Sequence, residues 1–367
     1  MNAVSRISKW LFFLLLLPGI IGLGVWQGWL WWSWATAPAA AETEAAVAAD
    51  DRTLQVQIPE GTSAQQIGED LKAVGLIRST AAWDLWTRWR MLGDRQGGYL
   101  AGTYELSPDT PMTEIADQIW QGQIVESSFT VPEGWSLQQM ADYFEAQGFF
   151  SAEEFLAVAR QVPRSRYPWL PDTLPHLEGF LYPDTYRVAG EVTPQSVVNQ
   201  MLDRFEQVAL PIYQQGRSQT SYTLLQWVTL ASIVEKEAVI SAERPQIASV
   251  FARRLQEGIP LGADPTVEYA LNVQQTPENP LTLAQVNTPS PYNTYLNAGL
   301  PPTPIASPGL SSLEASLDPA ETEFLYFVAR YDGTHVFSRT LAEHEAAQIV
   351  IRDGVDNRAG NSPATAN

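Results

Sequence analysis

The sequence predicts an α+β protein carried on a single N-terminal transmembrane helix, with a region of repeated strand–helix units followed by a mixed α/β domain. Three observations lead there. A long uncharged apolar run lies near the N-terminus, a segment built around Pro-Glu-Gly occurs twice without gaps, and the second half alternates helical periodicity with short strand and turn signals. The expected boundaries are 1–34 for the cytoplasmic N-terminus and anchor, 35–52 for a flexible acidic linker, and 53–160 for the repeats. The mixed domain takes 161–352 and a disordered tail 353–367.

Residues 10–26, WLFFLLLLPGIIGLGVW, carry no charged or polar side chain, and only Gln27 interrupts the apolar run before Trp32. As a helix, Trp10–Trp32 would cover roughly 34 Å, enough to cross a bilayer. Arg6 and Lys9 flank its start and Trp26, Trp29, Trp31, Trp32 and Trp34 crowd its far end, so the N-terminus is expected in the cytoplasm and the rest of the chain outside the plasma membrane. A signal peptide cleaved within ATAPAAAE is the alternative, although signal cores are usually shorter than this run.

Composition excludes more than it names. The 367 residues hold 22 Lys and Arg against 41 Asp and Glu, a net charge of −19, which repels nucleic acid. The absence of cysteine removes thiol nucleophiles, thiolate metal sites and disulfides.

VQIPEGTSAQQIGEDLKAVGLI at 56–77 aligns with FTVPEGWSLQQMADYFEAQGFF at 129–150. Each copy reads as a strand, a turn, a helix capped by Ser63 or Ser136, and a stop at Gly75 or Gly148. A weaker third copy starts at Tyr104, with Ile115 and Ile119 in the places of Ile67 and Leu71. Such units suggest binding modules, the alternative being a duplicated structural motif. Between the copies, 81–93 is expected to be a helix whose tryptophans are core, and 97–107 a strand region. A helix around Phe155 follows, then an edge strand within 176–188, interrupted by Pro183.

The stretch LLQWVTLASIVEKEAV at 224–239 is a helix ending in Glu235, Lys236 and Glu237. Glu237 follows Leu230, Ile233 and Val234 on a helical period, so two readings fit its spacing: a desolvated carboxyl able to donate a proton near neutral pH, or an acid on a solvated last turn. Ser241 is expected to cap a second helix ending at Gly258, and Asp264 to cap a third with Pro265 in its first turn. The proline-rich segment 288–309 is a long stiff loop offering Tyr292, Asn293, Tyr295 and Asn297 to a sugar. FLYFVA, Asp332–Gly333 and THVFS form a hairpin, and a terminal helix begins near Thr340.

Known catalytic signatures miss. Gln348 stands where HEAAQ would need its second zinc-binding His, and Ser232 and Lys236 are four apart rather than three. Carboxylate chemistry is left. Glu235 and Glu237 diverge on a helix and make a poor hydrolytic pair, so one carboxyl acting first as acid and then as base, with a hydroxyl of the same sugar replacing water, is the more economical scheme.

The ordered motifs PEG, EGFLYPDTY, ASIVEKE, ERPQIASVFARRL, DPTVEYAL, SPYNTY, GLPPTPIASPG and LYFVA resemble the YceG-like family of membrane-anchored endolytic murein transglycosylases over about residues 54–350. The departures are Thr303, where the family often has Gly, and Ser307, where Asn is common. The resemblance implies cleavage between N-acetylmuramic acid and N-acetylglucosamine to leave 1,6-anhydromuramoyl ends. It implies a LysM-like repeat region binding glycan strands, and wall-synthesis enzymes as neighbours. It places the catalytic role on Glu237, with Glu235, Asp264, Thr266, Tyr292, Asn293 and Tyr295 as supporting or substrate-binding groups. No metal or cofactor is expected, Lys236 lacking the phosphate cradle that pyridoxal chemistry needs. The competing class is a wall-binding scaffold without catalysis.

Overall fold

A computed structural model describes residues 17–42, 53–94, 97–124, 126–189, 192–276, 279–330 and 332–360. The chain forms two compact units, one of Met1–Ser127 with Arg187–Glu191, the other of Ser128–Tyr186 with Val192–Asn367. The two Pro-Glu-Gly copies therefore fall in different units.

The first unit begins with α1 (Leu17–Thr36), which exposes Ile20, Leu23, Trp26 and Trp29 and buries Ala35. Among the described residues no helix is long and apolar enough to cross a membrane. Residues 10–16 of the expected span lie outside the described residues. The expected linker of 35–52 begins inside α1, which runs to Thr36, and continues through a 3-10 turn, Ala39–Glu42, where the Ala40 N–H donates to the Pro108 carbonyl (3.0 Å); 43–52 lie outside the described residues.

Next come β1 (Leu54–Ile58), α2 (Ala64–Ala73), α3 (Thr80–Gly93), β2 (Gly102–Leu106) and α4 (Met112–Gln121), with β1 and β2 antiparallel. Ser63 caps α2 by accepting the Gln66 N–H, and Gly75 follows the helix at a φ of 78° that a side chain would strain. Gly68 admits the Trp83 indole, which a Cβ there would meet at 2.5 Å. Tyr99 stacks on Trp83 (centroids 4.8 Å apart) and meets Trp120 edge-on. Trp83 and Trp86 are core, as their spacing predicts, but Trp89 on the same helix is 66% exposed. Tyr104, Ile115 and Ile119 are buried on β2 and α4, as a third strand–helix unit requires.

In the second copy, β3 (Glu126–Thr130) precedes α5 (Leu137–Ala146), which Ser136 and Gln139 close with a reciprocal capping box. Helix α6 (Ala152–Ala159) follows. The strand expected across 176–188 forms only from Thr185, as β4 (Thr185–Ala189), the partner of β3. Leu177, Phe180, Leu181 and Tyr182 are instead buried in turns, so their apolar character serves a core rather than a ladder.

Helix α7 (Pro194–Gly216) starts on Thr193 and leads to α8 (Leu224–Glu237), the expected central helix, capped by Thr223. Every residue from Trp227 to Val234 is buried, and the Trp227 indole N–H donates to the Leu313 carbonyl (3.0 Å) of a later helix, α12 (Leu310–Leu317). Preceding that helix are α9 (Arg244–Glu257), α10 (Asp264–Leu271) and the short α11 (Leu283–Val286). Two expected caps are corrected. Ser241 opens a 3-10 turn and α9 has Glu243 at its N-cap, while α10 has Ala263 there, which leaves the Asp264 carboxyl for other partners. Gly258 ends α9 in the left-handed region, as read from the sequence.

The hairpin is β5 (Tyr326–Ala329) with β6 (His335–Ser338). Helix α13 (Leu341–Gly360) continues past Asp353, so the first part of the expected tail is helical; 361–367 lie outside the described residues.

The proline-rich loop is fixed at its far end. The Gly134 N–H donates to the Ser307 carbonyl and the Ser307 N–H to the Trp135 carbonyl, both at 2.8 Å, so the second Pro-Glu-Gly turn and the loop hold each other. The Ser232 hydroxyl of α8 accepts the Ile305 N–H (3.1 Å).

Candidate active site

Helix α8 delivers its three terminal polar residues to different surroundings. Glu235 is an internal tie: it pairs with Arg244 (2.9 Å) and accepts the Gly309 N–H (3.0 Å) and the Ser312 hydroxyl (2.6 Å). Arg244 also donates to Ser312 (2.8 Å) and to Ser241. Lys236 is exposed. Glu237, the last helical residue, is half-buried and lines a cleft of about 580 Å³ with Arg254, Asp264, Tyr295, Tyr326 and His344.

Among the described residues none makes a hydrogen bond or ion pair to the Glu237 carboxyl. Its pKa is pushed up from 4.5 to about 8, chiefly by lost hydration, then by the charges of Asp264 and Glu268, with Arg254 opposing. The acid is thus neutral at pH 7 and has a proton to give. Its favourable contribution to folding is complete below about pH 4.5 and is lost as the pH rises through about 8. A reaction drawing on this proton is expected to hold its rate below pH 8 and to lose about tenfold per unit above it, as a pH–rate profile would read.

The opposite wall is built by contacts between distant segments. Tyr295 donates its hydroxyl to Asp264 (2.6 Å), and the Gln275 amide reaches the other oxygen (3.3 Å). Gly262 takes a φ of 58°, letting its N–H reach the Thr294 carbonyl (3.0 Å). The Thr294 hydroxyl accepts from Ala263 (3.0 Å) and meets the Thr266 hydroxyl (2.9 Å). Thr266 and Thr294 are buried, so they place Tyr295 without touching a ligand.

Of the loop residues expected to meet a sugar, only Tyr295 lines this cleft. Asn293 is 1% exposed; its amide donates to the Val286 and Thr288 carbonyls (2.8 Å each) and accepts the Tyr295 N–H (2.9 Å). The Asn297 amide is likewise spent on Ser290 and Asn293. Tyr292 packs on Tyr269 and bonds the buried Thr303 hydroxyl (2.8 Å), which gives that departure from the family pattern a partner. These side chains shape the loop from within.

Sequence reasoning missed Arg254 and the hairpin wall. The Arg254 guanidinium donates to the Leu325 and Leu261 carbonyls (2.7 Å each) and lies over the Tyr326 ring (5.0 Å). The signal available was that Arg254 falls on the period of the apolar Ile247, Val250 and Phe251, and only the fold brings it to Glu237.

A mixed helix-and-sheet fold with an unpaired protonated carboxyl at the end of a buried helix, open to a polar cleft, defines a protein equipped for acid catalysis. The chain belongs to the YceG-like family, with the match running over residues 56–349. It is 31% identical over 313 residues to the endolytic murein transglycosylase of Bacillus subtilis (strain 168), covering 81% of this chain and 84% of that one. Against the endolytic murein transglycosylase of Streptococcus pneumoniae serotype 2 it is 30% identical over 333 residues, covering 80% of this chain but only 59% of the longer relative. A crystal structure of a yceG-like protein from Listeria monocytogenes superposes with a TM-score of 0.55 at 32% identity, covering 80% of this chain and 99% of that one.

Proposed function

We propose that this protein is an endolytic peptidoglycan lytic transglycosylase that cuts nascent glycan strands between N-acetylmuramic acid and N-acetylglucosamine and so ends their growth. The observation that carries the reading is the unpaired, protonated Glu237 in its cleft. Glu237 gives its proton to the glycosidic oxygen, and the bond from that oxygen to C1 of the muramic acid breaks. The C6 hydroxyl of the same sugar then attacks C1 and returns its proton to the Glu237 carboxylate, so the acid is regenerated and no water is consumed. Asp264, held by Tyr295, supplies negative charge beside the cationic centre that develops at C1.

Asp264 also favours a second reading, ordinary hydrolysis with two carboxyls. Product mass separates the two. Purified glycan strands are expected to yield anhydro ends, lighter by one water than hydrolysed ends. Ends of hydrolysed mass would replace the lytic scheme, and uncut strands would leave a wall-binding scaffold.

The chain is anchored in the plasma membrane through Trp10–Trp32, with its N-terminus in the cytoplasm and residues 53–352 outside. Wall-synthesis enzymes are its neighbours and no nucleic acid is a partner, in keeping with the net charge of −19. The repeat region acts as a LysM-like module on glycan strands; the strand–helix–helix–strand order from β1 to β2 supports this.

A further inference from the structure

A second cleft, of about 660 Å³, shares two walls with the first. On α8, Lys236 faces this cleft and Glu237 the other; on α10, Glu268 and Tyr269 face this one and Asp264 the other. The remaining wall comes from the start of α5, from Arg160 and from His176 and Glu178.

Its charge runs against that of the chain. Arg160 and Lys236 are exposed, and among the described residues neither side chain makes a hydrogen bond or an ion pair. The acids present are already engaged. Glu268 accepts the Gln275 N–H (2.7 Å). Glu178 is 2% exposed, accepts the Leu137 N–H on both oxygens (3.0 and 3.3 Å) and the Tyr269 hydroxyl (3.0 Å), and burial pushes its pKa up to about 8. It therefore brings little negative charge at neutral pH. The Asn272 and Gln274 amides add groups suited to a peptide backbone, and neither makes a side-chain hydrogen bond among the described residues.

In murein the sugars are neutral, and the free carboxylates lie on the peptide stems attached to muramic acid. Two uncommitted cations beside amide groups suit the stem and not the sugar. We propose that this cleft binds the carboxylate-bearing peptide stem of the strand that Glu237 cuts, Arg160 and Lys236 holding its acid groups. This rests on the glycan-cutting reading.

The test separates binding from cleavage. A free stem peptide with its carboxylates intact is titrated by calorimetry into the full-length Glu237→Gln protein in detergent, beside the same peptide with those groups amidated. The acid form is expected to bind about tenfold more tightly, and adding Arg160→Ala with Lys236→Ala should remove that preference. Equal affinity for the two peptides, or an unchanged preference in the added variants, overturns the proposal. With Glu237 present, the ratio of kcat/KM on stem-bearing strands to that on stripped strands should fall about tenfold in the Arg160→Ala, Lys236→Ala protein; an unchanged ratio also overturns it. If the unsubstituted protein cuts neither strand, the glycan-cutting reading fails, while the titration still decides whether the cleft binds the stem.

Discussion

Glu237→Gln is expected to slow glycan cleavage by roughly 10²–10⁴-fold while leaving the protein folded, because glutamine keeps the shape of the protonated carboxyl and cannot release its proton. Near neutral pH the side chain replaced is uncharged, so no buried ion loses a partner. As the pH rises from about 4.5 to about 8 the variant should melt increasingly higher than the parent, which must take up a proton to fold, and above about 8 the difference should level off. Single-turnover rates and melting curves across pH check both halves. A variant that cuts at nearly the parent rate would remove Glu237 from the chemistry.

Breaking the Glu235–Arg244 pair is expected to act in the opposite manner, through stability. Both side chains are nearly excluded from solvent, and between them they hold Gly309, Ser312 and Ser241. Arg244→Ala should strand a buried carboxylate and cost about 3–5 kcal/mol in denaturant unfolding. Glu235→Leu with Arg244→Met should recover much of that loss, as both charges go together. At low temperature the surviving folded Arg244→Ala molecules should turn over near the parent kcat, provided Glu237 stays in place. A kcat loss as deep as that of Glu237→Gln, at full folding, would make Glu235 a direct participant.

The parts legible in the sequence are those with local causes. Ser63 and Ser136 cap helices, Gly75 and Gly148 take positive φ after them, and the Asp332–Gly333 turn joins two strands, each specified within a few residues. The apolar face of α8 was equally plain, because Leu230, Ile233 and Val234 recur at the helical period. Direction of a side chain in a loop was not. Asn293 and Tyr295 are two residues apart and both suited to a sugar, yet one is consumed by backbone carbonyls and the other faces Glu237. Asp264 before Pro265 has the composition of a cap, but Tyr295 claims its carboxylate from across the cleft. Phe180, Leu181 and Tyr182 fit a strand by type and are taken into the core through turns. For Asp264 the deciding partner lies 31 residues along the chain, and for Asn293 the partners are five and seven residues back within an irregular loop; periodicity carries no information in either case.

The paired amides and carbonyls joining the turn at 134–135 to Ser307 have a consequence for how the molecule comes into being. One partner is made early and the other late, so this latch cannot close until the chain has been made through Ser307. Contacts of such separation slow folding, since the entropy of closing the intervening loop is lost before the contacts are gained. A chain emerging from its N-terminus would then expose its second Pro-Glu-Gly turn, unlatched, until Ser307 arrives. The cleft around Glu237 draws on Tyr326, His335 and His344, made later still, so the acid would acquire its desolvated setting only after the latch has closed.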